Sequence, residues 1–164
     1  MPPGGGGLGA GDVVLEELEA LAGAERYSRW LFDAYAEHVP GAAVLELGAG
    51  IGTATALALS AGARRVVAVE PDAASAARLA SRFGGDERVE VARVELPEVP
   101  EGAFDLVVCQ NVLEHVSDDA GAVRAAAGAL APGGRLALVV PAGPRLFGRL
   151  DDAYGHWRRY DPDE

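Results

Sequence analysis

Lysine is missing from this sequence of 164 residues: all 14 basic residues are arginine, set against 25 carboxylates for a net charge of −11. With alanine and glycine abundant, that replacement reads as a bias toward GC-rich codons, a property of the source and not of the fold. Chemistry that depends on a lysine, such as a Tyr-Lys pair for hydride transfer, is disfavoured. The charge and a pI near 4.7 argue against broad nucleic-acid or anionic-membrane binding, because a chain of this sign repels phosphate unless its basic residues cluster. Cysteine occurs once, as Cys109, which excludes an intrachain disulfide framework and a cysteine-rich metal site and points to a reducing, cytoplasmic setting. No other metal-ligand constellation is read from the sequence. No uncharged apolar run approaches the ~20 residues of a membrane span. The N-terminus MPPGGGGLGAGD has neither the basic region nor the apolar core of an export signal.

What is present is enough apolar residue, 49% of the chain, to bury one substantial core in one domain. Residues 1–12 are Gly/Pro-rich and read as a disordered tail, leaving 13–164 as the folded unit. From Val13 to Val39 the spacing is helical, with Val14, Leu15, Leu18 and Leu21 on one face and, after Gly23, Tyr27, Trp30, Leu31, Ala34 and Tyr35 on another. Aromatic residues so spaced read as core, and Pro40-Gly41 ends the segment. His38 near that end suits the helix dipole.

The stretch Ala43 to Thr55, AVLELGAGIGTAT, reads as a buried strand, a glycine-rich turn and the start of a helix. Gly48, Gly50 and Gly52 permit dihedrals that a Cβ would obstruct and let a ligand lie against bare backbone, beside the unpaired N–H groups that open the helix. A nicotinamide-dinucleotide fingerprint counted from Gly48 would place its third glycine at position 53, where Thr53 stands. A second strand, Arg64 to Val69, ends in Glu70. In a βαβ unit that spacing sets a carboxylate beside the glycine turn, able to accept both ribose hydroxyls of a nucleoside; the alternative is an ordinary strand-end carboxylate. Pro71-Asp72 opens a helix over Ala73–Phe83. Val89 to Leu96 alternates as a third strand nearer the sheet edge, Phe104 to Cys109, apolar but for Asp105, is a fourth, and Arg135 to Val140 is a fifth after a helix from Ala120 to Leu130 and the Pro132-Gly133-Gly134 reversal. Cys109 reads as core filling.

Glu46-Leu47-Gly48-Ala49-Gly50-Ile51-Gly52 resembles motif I of the class I S-adenosylmethionine-dependent methyltransferases, acidic-x-Gly-x-Gly-x-Gly. Phe104 to Val116, FDLVVCQNVLEHV, resembles their motif IV region. Gly155-His156-Trp157-Arg158-Arg159-Tyr160 resembles a Gly-His-aromatic-Arg-Arg-Tyr segment of one bacterial subgroup. The resemblance runs from about Tyr27 to Tyr160. The family's last helix and antiparallel sixth and seventh strands have no counterpart, so a chain truncated at its C-terminus is expected.

The resemblance implies S-adenosylmethionine as cofactor and a small-molecule methyl acceptor, with no nucleic acid and no membrane as partners. For cofactor binding it adds Tyr27 at the methionine end, Glu46 and Asn111 toward the methionine ammonium, and Glu95 toward the adenine, alongside Gly48, Ala49, Gly50, Gly52, Glu70 and Pro71. If the acceptor is a hydroxyl, a histidine is the natural general base, His156 first and His115 second. Arg158, Arg159 and Tyr160 are candidate acceptor contacts; the alternative for the two arginines is pairing with Asp151, Asp152 and the acidic residues 161–164. The fold expected is α/β, a Rossmann-like doubly wound parallel sheet of order 3-2-1-4-5. A NAD-dependent oxidoreductase and a non-catalytic nucleoside-binding domain are the competing functions.

Overall fold

A computed structural model describes residues 23–161 and 163. The expected N-terminal tail and the face built on Val14, Leu15, Leu18 and Leu21 lie outside the described residues. Five strands form one parallel sheet: β1 (Ala43–Leu47), β2 (Arg65–Val69), β3 (Val89–Ala92), β4 (Phe104–Gln110) and β5 (Leu130–Val139), in the order β3-β2-β1-β4-β5. The helices are α1 (Glu25–Asp33), α2 (Thr53–Ser60), α3 (Ala73–Phe83), α4 (Asp119–Gly128) and α5 (Arg149–Ala153). Order and parallel pairing agree with the reading of the sequence.

Parallel strands covered on both faces are apolar throughout instead of alternating, and every residue of β1 is buried. The strands' period of two divides the core. Val44, Val66, Ala68, Leu106 and Val108 pack with Phe32, Tyr35, Val39, Ala58 and Leu79 on one side. Leu45, Leu47, Val67, Val69, Val107 and Cys109 pack with Leu113, Ala122 and Ala126 on the other. Cys109 is core, as expected, and burial pushes its thiol up to about 12. Among the described residues no helix is long and apolar enough to cross a membrane.

Three elements depart from expectation. On α1 the buried residues are Leu31 and Phe32, while Trp30 is 68% exposed. The helix ends at Asp33 and a 3-10 turn over Ala36–His38 follows, so a face projected to Tyr35 at a uniform 3.6-residue period is broken. β3 stops at Ala92 and not Leu96, because Pro97 and Pro100 interrupt any ladder there. β5 begins at Leu130, ahead of the Pro-Gly-Gly segment: Phe104 pairs with Leu130 and Leu106 with Arg135, so the glycines form a bulge within the strand, Gly133 at φ +82°.

Candidate active site

Chain direction across the sheet reverses between β1 and β4. The connection from β1 leads to β2 on one side and that from β4 to β5 on the other, and such a switch point opens a crevice beyond the carboxyl ends of the two strands. Two turns line it. After β1, Gly48, Gly50 and Gly52 lie at φ +75°, +55° and +83°, the left-handed region that disfavours any Cβ. The N–H groups of Gly48 and Ala49 both donate to the Val69 carbonyl, at 2.9 and 2.8 Å, tying the turn to β2. A Cβ on Gly48 would stand 2.2 Å from Val112 Cγ2, and one on Gly52 2.4 Å from the Phe83 ring. Arg82 Nη1 donates to the Ile51 carbonyl at 3.1 Å. Thus α3 and the segment after β4 clamp the turn from two sides. No side chain caps α2 at Gly52.

Glu70 sits at the tip of β2, 8% exposed. One carboxylate oxygen accepts the Gly50 N–H at 2.8 Å and the other the Asp72 N–H at 2.9 Å. Burial raises its pKa while these two bonds oppose the shift. Each oxygen keeps a lone pair for a further donor. Behind the turn, Thr55 Oγ1 donates to Glu46 Oε2 at 2.6 Å, and burial pushes Glu46 up to about 7. Tyr35 donates its hydroxyl to Gln110 Oε1 at 3.2 Å; burial first and Glu46 second raise its pKa.

Across the crevice, Asn111 follows β4 at φ +53°, a conformation in which asparagine is among the few tolerated side chains. Its N–H donates to the Val139 carbonyl at 2.8 Å. A 3-10 turn, Leu113–His115, then meets the tail: the Trp157 N–H donates to the Glu114 carbonyl at 2.7 Å, and the His115 and His156 rings meet edge to face with centroids 4.7 Å apart. Asp151, 2% exposed, organises the tail. Its Oδ1 lies 3.0 Å from His156 Nδ1 and accepts from Arg159 Nε at 2.7 Å, and its Oδ2 accepts the Gly148 N–H at 2.9 Å. Arg159 foremost holds its pKa down to about 2. Arg158 pairs with Asp119 Oδ2 at 2.7 Å and donates to the Ser117 carbonyl at 2.8 Å; Tyr160 donates to that same Asp119 oxygen at 3.1 Å. Glu114 is 2% exposed and its Oε2 is buried without a partner.

The structure therefore brings Gly48, Ala49, Gly50, Gly52, Glu70 and Asn111 to one crevice, with Glu46 buried behind the turn against Thr55, and His115 together with His156. Pro71 is exposed between Glu70 and Asp72. Tyr27 is 42% exposed and its ring lies 6.0 Å from that of Trp30. Glu95 falls on the exposed loop beyond the shortened β3. Arg158 and Arg159 are each held by a carboxylate, and Asp119 among these partners was not expected. The sequence reading also missed Glu114 and Val112, whereas Asp151 was named as a partner for the two arginines and Arg159 takes it. Glu114 and His115 are adjacent within the motif that resembles the family's, and that adjacency was the available signal; their approach to His156 is a tertiary contact that no local spacing encodes.

Comparisons with known proteins agree with this geometry. A family model described as a methyltransferase domain matches residues 45–136. The chain is 40% identical over 103 residues to the ubiquinone biosynthesis O-methyltransferase of Xanthomonas euvesicatoria, covering 60% of this chain and 42% of that one. It is 41% identical over 100 residues to the ribosomal protein L11 methyltransferase of Pelotomaculum thermopropionicum, covering 59% and 32%. The chain thus spans less than half the length of these curated relatives. Among solved structures, an S-adenosylmethionine-dependent methyltransferase from Mesorhizobium loti superposes with a TM-score of 0.58 at 28% identity, covering 63% of this chain and 49% of that one.

Proposed function

The chain belongs to the methyltransferase-domain family, and from that premise we propose that it binds S-adenosylmethionine and takes part in methyl transfer to an oxygen of a small-molecule acceptor. Bound S-adenosylmethionine supplies a methyl group on a positively charged sulfur, activated without metal or redox help. The work left to the protein is to hold nucleophile, methyl carbon and sulfur in line.

The observation that carries the reading is the hydrogen bond from the Gly50 N–H to the Glu70 carboxylate at 2.8 Å. It fixes an acceptor for a ribose diol against a turn of bare backbone at the switch point. Gly48, Ala49, Gly52 and Pro71 complete that floor. Glu46 and Asn111 take the ammonium end, with Tyr27 at its rim, and Glu95 on the loop after β3 takes the adenine end. Acceptor oxygen is favoured by the name of the Xanthomonas relative, an O-methyltransferase. Loss of the hydroxyl proton is assigned to the side of the crevice that carries His115 and His156, which Arg158, Arg159 and Tyr160 brace through Asp119 and Asp151.

Calorimetric titration tests the cofactor class. S-adenosylhomocysteine is expected to bind and NAD not to, with Glu70→Ala weakening the former roughly 10- to 100-fold, the worth of one or two hydrogen bonds to a charged group. NAD binding alone would return the oxidoreductase reading. Transfer of labelled methyl from S-adenosylmethionine to a panel of phenols then tests the acceptor, and binding without turnover of any acceptor would favour the non-catalytic alternative.

A further inference from the structure

We propose that Glu114, His115 and His156 form a binding site for a divalent first-row transition cation at the acceptor side of the crevice. One ligand atom from each residue lies within 4.8 Å of the others, so small side-chain rotations bring all three to the coordination distance of one ion, about 2.0–2.2 Å for imidazole nitrogen and carboxylate oxygen. Glu114 supplies a second, independent reason. It is 2% exposed and its Oε2 has no hydrogen-bond partner, an arrangement that leaves a buried carboxylate oxygen uncompensated. A cation in the space it shares with the two imidazoles provides the missing partner.

The surroundings are those a ligand set needs. Histidine ligands are oriented by a carboxylate or carbonyl on the other ring nitrogen, which fixes the tautomer. His156 has such a partner in Asp151, 3.0 Å from Nδ1, leaving Nε2 for an ion. Asp151 is itself fixed by Arg159 at 2.7 Å and by the Gly148 N–H at 2.9 Å. Two imidazoles and one carboxylate select zinc, cobalt, iron or manganese over magnesium or calcium, and three protein ligands leave positions open for an exchangeable oxygen. The role of the ion rests on the methyltransferase reading, whereas the site itself does not. In that role a hydroxyl of the acceptor takes an open position and its O–H bond breaks with the proton passing to solvent. The oxygen's electron pair then forms the O–CH3 bond while the C–S pair stays on sulfur, so the histidines act on the hydroxyl through the ion.

The test uses the full chain, stripped with chelator and titrated with Co2+, with Zn2+ as competitor and Mg2+ as control. Nitrogen-coordinated Co2+ is expected at one equivalent, read by its visible absorption, displaced by Zn2+ and unaffected by Mg2+. Glu114→Gln and His156→Ala should abolish it, and Asp151→Asn should weaken it about 10- to 100-fold. Should a variant unfold, the wild type decides the matter. The chain has 3 histidines, and bound Co2+ should shift the ring proton resonances of His115 and His156 and leave those of His38 in place. Absence of nitrogen coordination, or three unshifted histidines, overturns the site. S-adenosylhomocysteine binding in the same samples separates the two readings: Co2+ failing while the nucleoside binds sinks only the cation site, and the reverse sinks only the cofactor.

Discussion

Glu46 points its carboxylate into the side of the sheet that carries Tyr35 and Thr55, with one hydroxyl donor and no positive charge. Burial raises its pKa from 4.5 to about 7, so the folded protein binds this proton more tightly than the unfolded chain does. The stability that accompanies the neutral form is therefore complete below about pH 4.5 and is lost as pH rises through 7, by roughly 3 kcal/mol in all. Glu46→Gln keeps an oxygen for the Thr55 hydroxyl and cannot ionise. In urea unfolding it should match the wild type near pH 5 and exceed it near pH 8, and an equal difference at both values would contradict the assignment. Motif I named this acidic residue from sequence alone, because it precedes the glycine turn at a fixed distance. What the sequence could not supply was its bond to Thr55, which forms only when α2 folds back over β1, or Asp119 as the carboxylate that holds Arg158. That partner is chosen by where the tail docks, whereas Arg159 takes Asp151, one of the nearby carboxylates the sequence offered.

The turn between β1 and α2 shows how an element's residues are chosen by what lies behind it. A methyl group on Gly48 would meet Val112 at 2.2 Å and would sit on backbone at φ +75°. Gly48→Ala is expected to cost roughly 2–4 kcal/mol, part steric overlap and part strain. Val112→Ala in the same chain should recover the steric part and leave the dihedral part, a coupling that a double-mutant cycle of unfolding free energies reads directly; simple additivity would show that the contact does not matter. The strand-turn-helix was legible because glycines at every second position after an apolar run admit few structures. α3 was legible to the residue, Ala73–Phe83, because Asp72 caps it, accepting the Ser75 N–H at 2.8 Å, and two glycines end it. β3 and β5 were misjudged at their boundaries for the opposite reason. Alternation continues past Ala92 although the prolines forbid pairing, and the bulge at Pro132-Gly133-Gly134 has the composition of a loop while the backbone on either side pairs with β4.

At the scale of the molecule, a parallel sheet followed from the alternation of apolar runs with helical segments, and its order β3-β2-β1-β4-β5 was implied by the resemblance to the methyltransferases. The same sequence carries a net charge of −11, and like charges crowd more closely in the folded state than in the unfolded one. Raising NaCl from about 20 to about 500 mM shortens the screening length from roughly 20 Å to under 5 Å, so the melting temperature should rise with salt. A fall would mean that attractive pairs such as Arg159 with Asp151 outweigh the repulsion. The two tryptophans have a different consequence. Both stand in solvent, Trp30 68% and Trp157 64% exposed, so the native fluorescence is already that of hydrated indole and unfolding changes its colour little. Melting must be followed through the backbone, by circular dichroism. The same exposure turns Trp157, the neighbour of His156, into a local lamp: cobalt held by that histidine would darken it by energy transfer and leave the glow of Trp30.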